Sequence, residues 1–344
     1  MKIRDMLMRY RFWLWMITPL LLLSASPLFA GPVKIKVAAV TPEGSTWVKV
    51  LRDFAQDVKQ HTAGEVILAI YAGGVSGDES DVLRKMRIKR IDAAGFSGVG
   101  LGIILPEIRV LEAPLLFRSN AEIDMVREKL FDHFAAGFER KGFVLLGFVE
   151  GGWVYLFSRG NLAEEDSFTA AKMWVWKGDR VAEMLLKNFG IRTTPLHIAD
   201  VNTGLETGMI DSFYSPPLAA IAFQWHTRIE YMLDFPIANS NAALLMTKRS
   251  FSALSPAHQR AVKSLALKHC RRLVEFTRRD NLEARRQLQS QGIMFVKPGQ
   301  RQLDGFASGA HQTYRQSIPS LYSSELFDRI QSILAGYRQA AEKE

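Results

Sequence analysis

The chain is poor in cysteine, in long apolar runs and in clusters of one charge. Cys270 is the only cysteine among 344 residues, so an intramolecular disulfide is excluded and a large hydrophobic core has to stabilise the fold. The apolar run from Phe12 to Leu23 is shorter than the ~20 residues that a membrane-spanning helix needs. The net charge of +9 is spread thinly, without a basic patch interleaved with aromatics, which argues against a nucleic-acid partner.

Motifs for catalysis, metals and cofactors are also missing. The seven histidines are scattered, with no H-x-x-x-H pair, and neither a G-x-S-x-G elbow nor a P-loop lysine motif occurs. The segment SGVGLG, Ser97–Gly102, lacks the full spacing and the downstream acidic residue of a dinucleotide site. We therefore interpret it as a loop, and we predict a protein that is not an enzyme and has no catalytic residue, no metal and no cofactor.

The first thirty residues have the layout of a secretory signal peptide. Four basic residues precede the apolar run, and a short segment of small residues with a proline follows it up to Ala30. We predict cleavage after Ala30 and export to the periplasm, with an uncleaved membrane anchor as the alternative. The length of the remaining chain suits one large domain or two lobes.

Strand-like and helix-like segments alternate from residue 33 onward. Residues 33–40, 65–71 and 91–96 are predicted as strands separated by two helices, and this β-α-β-α-β order predicts a parallel sheet with helices on its faces. Further along, one helix is predicted over residues 120–141, and separate strands over residues 143–149, 154–158, 172–176 and 210–214. A helical pattern begins after Ser255, has proline at its first position, and continues to about Gln291. A helix of that length spans roughly 50 Å, which is more than one lobe.

The predicted fold is therefore α/β: a two-lobed periplasmic-binding-protein fold with a long helix spanning both lobes. We expect the signal peptide over residues 1–30, and then three parts of the mature chain. Residues 31–150 form mainly the first lobe and residues 151–245 mainly the second. Residues 246–344 supply the long helix and C-terminal elements that return across both lobes.

The order of motifs resembles the DctP-type substrate-binding subunit of tripartite ATP-independent periplasmic (TRAP) transporters. VKIKVAAVTPEGSTW and YAGGVSGDESDVLRKMRIKRIDAAGFSGVGLG carry the first part of the resemblance. EAPLLFRS, GFVLLG, MWVWKGD, ETGMIDSFYSPPLAA and QWHTRIEYMLD carry the rest, so that it covers about residues 33–300. The resemblance implies two lobes that close around a small-molecule ligand, which is then delivered to the membrane permease subunits of the transporter.

Typical members of this family bind organic acids through an arginine that this chain lacks. The resemblance places that arginine at Trp174, a further arginine of many members at Val154, and an asparagine at Pro216. Because apolar side chains replace charged and polar ones, we predict an uncharged, aromatic or otherwise hydrophobic ligand that stacks on Trp174. The predicted ligand-binding residues are Val40, Thr41, Glu79, Phe96, Ser97, Trp153, Val154, Trp174, Trp176, Ile198, Tyr214 and Pro216.

Two alternatives remain open from the sequence. In the first, an arginine outside the family position, namely Arg159, Arg180 or Arg84, reaches the cleft and binds the carboxylate of a conventional organic acid. In the second, the protein shuttles its ligand while docked on a periplasmic helical-repeat partner, as some relatives of this family do. A sensor role, in which the closed form contacts a membrane receptor, is a further interaction hypothesis.

Overall fold

The structure, a computed structural model, describes residues 31–341, and the predicted signal peptide lies outside them. The strands are β1 (Val33–Ala38), β2 (Val66–Tyr71), β3 (Ala93–Ser97), β4 (Phe143–Ser158), β5 (Lys172–Trp176), β6 (Arg192–Leu196), β7 (Ser212–Ser215), β8 (Tyr231–Thr247) and β9 (Met294–Val296). The α-helices are α1 (Thr46–His61), α2 (Glu79–Arg87), α3 (Gly98–Ile104), α4 (Asn120–Lys129), α5 (Phe131–Arg140), α6 (Glu165–Ala170), α7 (Arg180–Asn188), α8 (Val201–Thr207), α9 (Pro217–Ala222), α10 (Lys248–Ser252), α11 (Pro256–Ser290), α12 (Gln300–Ser317) and α13 (Ser324–Ala341). The 3₁₀ helices are Pro106–Glu112, Ile198–Asp200 and Trp225–Arg228.

These strands form one mixed sheet in the order β2-β1-β3-β8-β4-β7-β5-β6, with β9 beside β8. β1 pairs in parallel with β2 and β3, and β5 pairs in parallel with β6 and β7, as expected for strands connected through helices. β4 and β8 are antiparallel to each other and, at 16 and 17 residues, run through both halves of the sheet. The first lobe is therefore built around β1–β3, the second around β5–β7, and β4 and β8 connect them.

Each lobe has its own hydrophobic core, and the long helix crosses both. Phe134 and Phe138 are fully buried in the first lobe, whereas Phe157 and Phe213 stack in the second with ring centroids 4.9 Å apart. α11 packs against α1 in the first lobe and against α9 in the second, over a length of about 50 Å. The long spanning helix predicted from the sequence is thus present, capped as expected by the Ser255 hydroxyl, which accepts from His258 N.

Three local predictions are wrong. Residues 143–149 and 154–158 were predicted as separate strands, but they form the single strand β4, because β8 pairs along its length with bulges that absorb the register shifts. Ser97–Gly102 is not a loop, since α3 begins at Gly98 and the Ser97 hydroxyl caps it. Residues 120–141 form two helices, α4 and α5, interrupted at Leu130. The predicted division of the mature chain at residues 150 and 245 stays a prediction.

A buried ionic cluster lies where the paired strands β4 and β8 pass from one lobe to the other. The Glu150 carboxylate is fully buried and accepts hydrogen bonds from Arg127 Nη1 at 2.6 Å and from Arg278 Nε at 2.8 Å. Arg127 also donates to the side-chain oxygens of Asn241 and Asn239 on β8. Because a buried charge is costly without partners, this cluster ties α4, β4, β8 and α11 together at this point.

No helix within residues 31–341 is both long and apolar enough to cross a membrane. Cys270 lies on α11 and is buried, and burial raises the pKa of its thiol to about 12.

Candidate functional site

A cavity of about 370 Å³ lies between the lobes, beside the segments of β4 and β8 that pass from one lobe to the other. The carboxyl ends of β1 and β3 reach it from the first lobe, and those of β5 and β7 reach it from the second. This is where open α/β sheets place their ligand sites. Most of the lining side chains are apolar, and the charged ones in the described part of the chain are Glu79, Arg109, Glu112 and Asp179.

Glu79 anchors the first-lobe wall. It begins α2, and its carboxylate accepts hydrogen bonds from Ser97 N at 2.6 Å, Ser97 Oγ at 2.8 Å and Gly100 N at 2.8 Å. Burial raises the pKa of Glu79 to about 7, although these donors oppose the shift by stabilising the charged form. The protonated and ionised forms of Glu79 are therefore both populated near neutral pH.

Arg109 supplies the one positively charged side chain that lines the cavity within residues 31–341. Only 5% of it is exposed, and Nη2 donates to Asp179 Oδ1 at 2.6 Å. Its Nε lies 2.9 Å from Glu112 Oε2, but the N–H is not well aligned for a hydrogen bond. Burial opposes the charge of Arg109, yet the negative charges of Asp179 and Glu112 outweigh it and raise the pKa, so the guanidinium stays charged.

Glu112 completes this group on the first lobe. Its Oε1 accepts from the backbone N–H of Asn241 at 2.9 Å. Burial raises the pKa of Glu112 to about 7, while the nearby charge of Arg109 holds it down. Among residues 31–341, the cavity wall therefore carries one cation, Arg109, with Asp179 as its direct partner. It also carries two carboxyl groups whose pKa burial raises to about 7.

The glycines of SGVGLG make room for these charged side chains. A Cβ on Gly98 would overlap the carboxylate of Glu112, and one on Gly100 would lie 2.5 Å from Glu79 Oε2. A Cβ on the third glycine of the segment would meet Arg109 Cδ at 2.8 Å. Glycine is thus required at these positions by close packing of α3 against buried ionic side chains, rather than by a loop or a phosphate site.

An aromatic cluster forms the second-lobe wall. Trp174 is 2% exposed; its ring stacks on Tyr214 at 5.3 Å and meets Trp225 edge-on at 5.0 Å. Trp176 lies on the same face of β5, with its ring centroid 6.3 Å from that of Trp174. The indole N–H of Trp174 donates to Leu196 O at 3.1 Å, so the polar end of the ring is satisfied inside the wall. Trp174 is therefore a core residue of this wall as well as a lining residue.

Eleven of the twelve predicted ligand-binding residues line this cavity, and Trp153 does not. Trp153 packs against the first-lobe core, and its indole N–H donates to Asn120 Oδ1 at 2.9 Å. Neighbouring side chains of a strand point to opposite faces, so the adjacent Val154 faces the cavity and Trp153 faces away. Contact of the other eleven with a ligand stays a prediction.

None of the three arginines proposed from the sequence lines the cavity. Arg159 donates to the backbone carbonyl oxygens of Arg228 and Leu205. Arg84 is exposed and pairs with Asp81, and Arg180 is also exposed on α7.

Arg109, Glu112 and Asp179 were not predicted from the sequence. The first two come from the 3₁₀ helix Pro106–Glu112, which follows no strand, and Asp179 is 70 residues away from Arg109 along the chain. Gly98 and Gly102 were the available signal, because small residues four positions apart mark one helix face that lies close to bulky neighbours.

Comparison with known proteins identifies the family. The model of bacterial extracellular solute-binding proteins, family 7 (DctP), matches residues 37–320. The chain belongs to this family. It is accordingly a solute-binding protein rather than an enzyme, and the resemblance drawn from the sequence motifs is confirmed at the level of the family.

Relatives of known name share this assignment at low identity. The chain is 28% identical to a solute-binding protein of Chromohalobacter salexigens over 47% of its own length, and it spans about half (49%) of that protein. It is 25% identical to the 2,3-diketo-L-gulonate-binding periplasmic protein YiaO of Escherichia coli, over 62% of this chain and 66% of the other.

Solved structures show the fold. A TRAP periplasmic solute binding protein from Xanthobacter autotrophicus, with bound β-D-galacturonate, superposes with a TM-score of 0.81 at 20% identity. The match covers 88% of this DctP-family chain and 99% of the other. The two-lobed α/β fold predicted from the sequence is thereby confirmed.

Proposed function

We propose that this chain is the solute-binding subunit of a TRAP-type transporter, which captures a small organic acid in the periplasm and delivers it to membrane permease subunits. The observation that carries the proposal is the interlobe cavity of about 370 Å³ with buried Arg109 in its wall. A cavity of this size, formed by two lobes on a shared pair of long strands, suits capture by hinge closure. The helical-repeat partner has no support from the comparisons and stays a prediction.

The ligands named for similar proteins favour the carboxylate alternative over the uncharged ligand predicted from the sequence. YiaO is named for 2,3-diketo-L-gulonate, and the Xanthobacter protein holds β-D-galacturonate. Both ligands are sugar acids. We therefore place the ligand carboxylate against Arg109, which takes the role that the sequence analysis assigned to Arg159, Arg180 or Arg84.

Arg109 retains donors for such a ligand. Its Nη2 binds Asp179, whereas its Nη1 makes no hydrogen bond to any residue of the described chain, 31–341. An incoming carboxylate would meet the charge of Asp179 as well as that of Arg109. A proton on Glu112, whose pKa is about 7, would reduce this repulsion and provide a further donor.

A binding experiment tests this assignment. We expect D-galacturonate or D-glucuronate to bind the purified protein in isothermal titration calorimetry, and Arg109→Gln to weaken binding by about 100-fold. Arg109→Lys keeps the charge without the planar fork and should weaken it by about 10-fold, which gives a second reading if Arg109→Gln does not fold. Arg84→Gln is the matched control, because Arg84 is exposed and lies outside the cavity lining. Equal affinities for wild type and Arg109→Gln would contradict the proposal.

An uncharged ligand is the second candidate, for a specific reason. Asp179 and Glu112 already flank Arg109, and the face of β5 that opens into the cavity carries Trp174 and Trp176. Native mass spectrometry of the protein before and after denaturation and refolding separates the two candidates. A co-purified non-acidic molecule that is lost on refolding, together with no binding of sugar acids, would replace the acid proposal by this one.

A further inference from the structure

Two aspartates reach across the gap between the lobes. Asp78, on the first lobe, accepts hydrogen bonds from Trp176 Nε1 at 3.2 Å and from His197 Nδ1 at 2.8 Å on the second. Asp179, on the second lobe, accepts from Arg109 Nη2 on the first at 2.6 Å. These contacts join protein atoms only, so they hold the lobes together without a contribution from ligand charge.

The two aspartates are closely matched in local structure. Asp78 caps α2 through the backbone N–H of Glu79, at 2.6 Å, and Asp179 caps α7 through that of Ala182, at 3.1 Å. Both carboxylates are mostly buried, with side-chain exposures of 10% and 7%. Substitution by asparagine retains a good helix cap in each case, so the pair offers a controlled comparison.

The two aspartates differ in what they contact. Asp78 is not among the residues that line the cavity, whereas Asp179 lines it and is bound to its cation, Arg109. The hydroxyl of Tyr214 also donates to Asp179, at 2.7 Å, so the carboxylate is fixed by donors from both lobes. In such a buried place, a carboxylate at hydrogen-bonding distance cancels most of the field of the guanidinium.

We propose that Asp179 is a specificity-determining residue, which acts as an internal counter-ion for Arg109 and excludes ligands with more than one carboxylate. A ligand with one carboxylate can still use the free Nη1 of Arg109. A second ligand carboxylate would find no uncompensated cation, since Arg109 is the only lining cation among residues 31–341, and it would face Asp179, Glu112 and Glu79. This inference rests on the proposed function in so far as the natural ligand is an acid.

The experiment compares D-glucuronate with D-glucarate, which has the same carbon skeleton and a second terminal carboxylate. Isothermal titration calorimetry on wild type, Asp179→Asn and Asp78→Asn gives the ratio of the two affinities for each protein. We expect Asp179→Asn to bind D-glucarate at least about 10-fold more tightly than wild type does, and to shift the ratio towards the diacid. Asp78→Asn loosens closure for every ligand, so it should weaken both acids by a similar factor and leave the ratio unchanged.

The outcomes separate this inference from the proposed function. If wild type binds D-glucuronate and Asp179→Asn leaves the ratio unchanged, the role of Asp179 is wrong and the proposed function stands. If only Asp179→Asn binds acids, the role of Asp179 is supported and an acid is not the natural ligand. If neither protein binds an acid, both proposals fail. Asp179→Ser, which also retains a helix cap, replaces Asp179→Asn if that variant does not fold.

Discussion

The two walls of the cavity are built from different chemistry. The first lobe contributes three ionisable side chains, Glu79, Arg109 and Glu112. The two carboxylates accept hydrogen bonds from backbone N–H groups, and the guanidinium donates to the Asp179 carboxylate. The second lobe contributes stacked rings, with Trp174 and Tyr214 at its centre. Asp179 is the exception, because it is a charged residue of the second lobe and accepts a hydrogen bond from Arg109 of the first lobe.

This difference indicates that the first wall determines which ligand binds, whereas the second wall mainly stabilises the fold. The ionic groups of the first-lobe wall respond to the charge and protonation of the ligand. Glu79 and Glu112 do so because their pKa is about 7, and Arg109 does so because its partners are charged. The aromatic wall offers a rigid apolar surface whose shape depends on packing with the second-lobe core. We therefore expect mutations in the second wall to act mainly on stability, and changes of charge in the first to act mainly on pH dependence and selectivity.

The largest effect should come from truncating the aromatic wall at Trp174. Trp174→Ala removes a side chain that is 2% exposed and packs against three other rings, so we expect the free energy of unfolding to fall by about 3–5 kcal/mol. Urea denaturation followed by circular dichroism measures this change. Trp174→Phe keeps an aromatic ring but loses the N–H that binds Leu196 O, and it should cost clearly less.

If Trp174→Ala instead lowers stability by less than about 1 kcal/mol but removes ligand binding, the ring serves the ligand rather than the fold. That outcome would remove the distinction between the two walls, because both would then act in recognition.

An intermediate effect should appear in the pH dependence of stability, through the first wall. Burial raises the pKa of Glu79 and Glu112 to about 7, whereas a glutamate in the unfolded chain has a pKa of about 4.3. Between these values the folded protein binds more protons than the unfolded chain, so the free energy of unfolding falls as the pH rises. We expect each of the two carboxyl groups to contribute a loss of about 2 kcal/mol between pH 5 and pH 7.5, measured by urea denaturation at several pH values.

Other carboxylates do not mask this trend. The pKa of Asp57 is lowered by its hydrogen bond to His269, and such groups change the free energy of unfolding only below about pH 4.5, where the unfolded carboxyl takes up its proton. Glu112→Gln should reduce the slope between pH 5 and pH 7.5 by about half, because Glu79 still contributes. Glu283→Gln, at a carboxylate that is 67% exposed and pairs with Arg286, is the control and should leave the slope unchanged. A slope that is flat or positive in wild type would show that the first wall is not protonated near neutral pH.

Sequence patterns located the second wall better than the first, for a physical reason. Residues at the carboxyl ends of parallel strands converge on one edge of a sheet. Trp174, predicted as the counterpart of the family's arginine, and Tyr214 both lie on such strands. Arg109 and Glu112 follow no strand, and their meeting with Asp179 depends on how the lobes pack. A contact between residues 70 positions apart leaves no local periodicity in the sequence.

The fold itself was largely predictable because its signals are local. The helix over Pro256–Ser290 combines a serine cap, a first-turn proline and a long run without glycine, and the structure has it within a residue of the predicted end. The single strand β4 was missed because Gly151 and Gly152 interrupt its pattern. They accommodate a bulge at the point where β4 passes from one lobe to the other, and there a Cβ on Gly152 would lie 2.6 Å from the side chain of Asn281.

The smallest effect should come from Trp153, the predicted site residue that lies outside the cavity. Trp153→Phe keeps a ring against the first-lobe core and removes one hydrogen bond, from the indole N–H to Asn120 Oδ1, so we expect a loss of about 1 kcal/mol in the free energy of unfolding. Affinity for the ligand should stay within about 2-fold of wild type, because the side chain points away from the cavity face that Val154 occupies. Urea denaturation and calorimetry on the same preparations measure both quantities, and Asn120→Ala should reproduce the loss of stability by removing the acceptor. A large loss of affinity in Trp153→Phe without a matching loss in Asn120→Ala would mean that the indole contacts the ligand, and that the first wall takes part in recognition through an aromatic ring as well as through its charges.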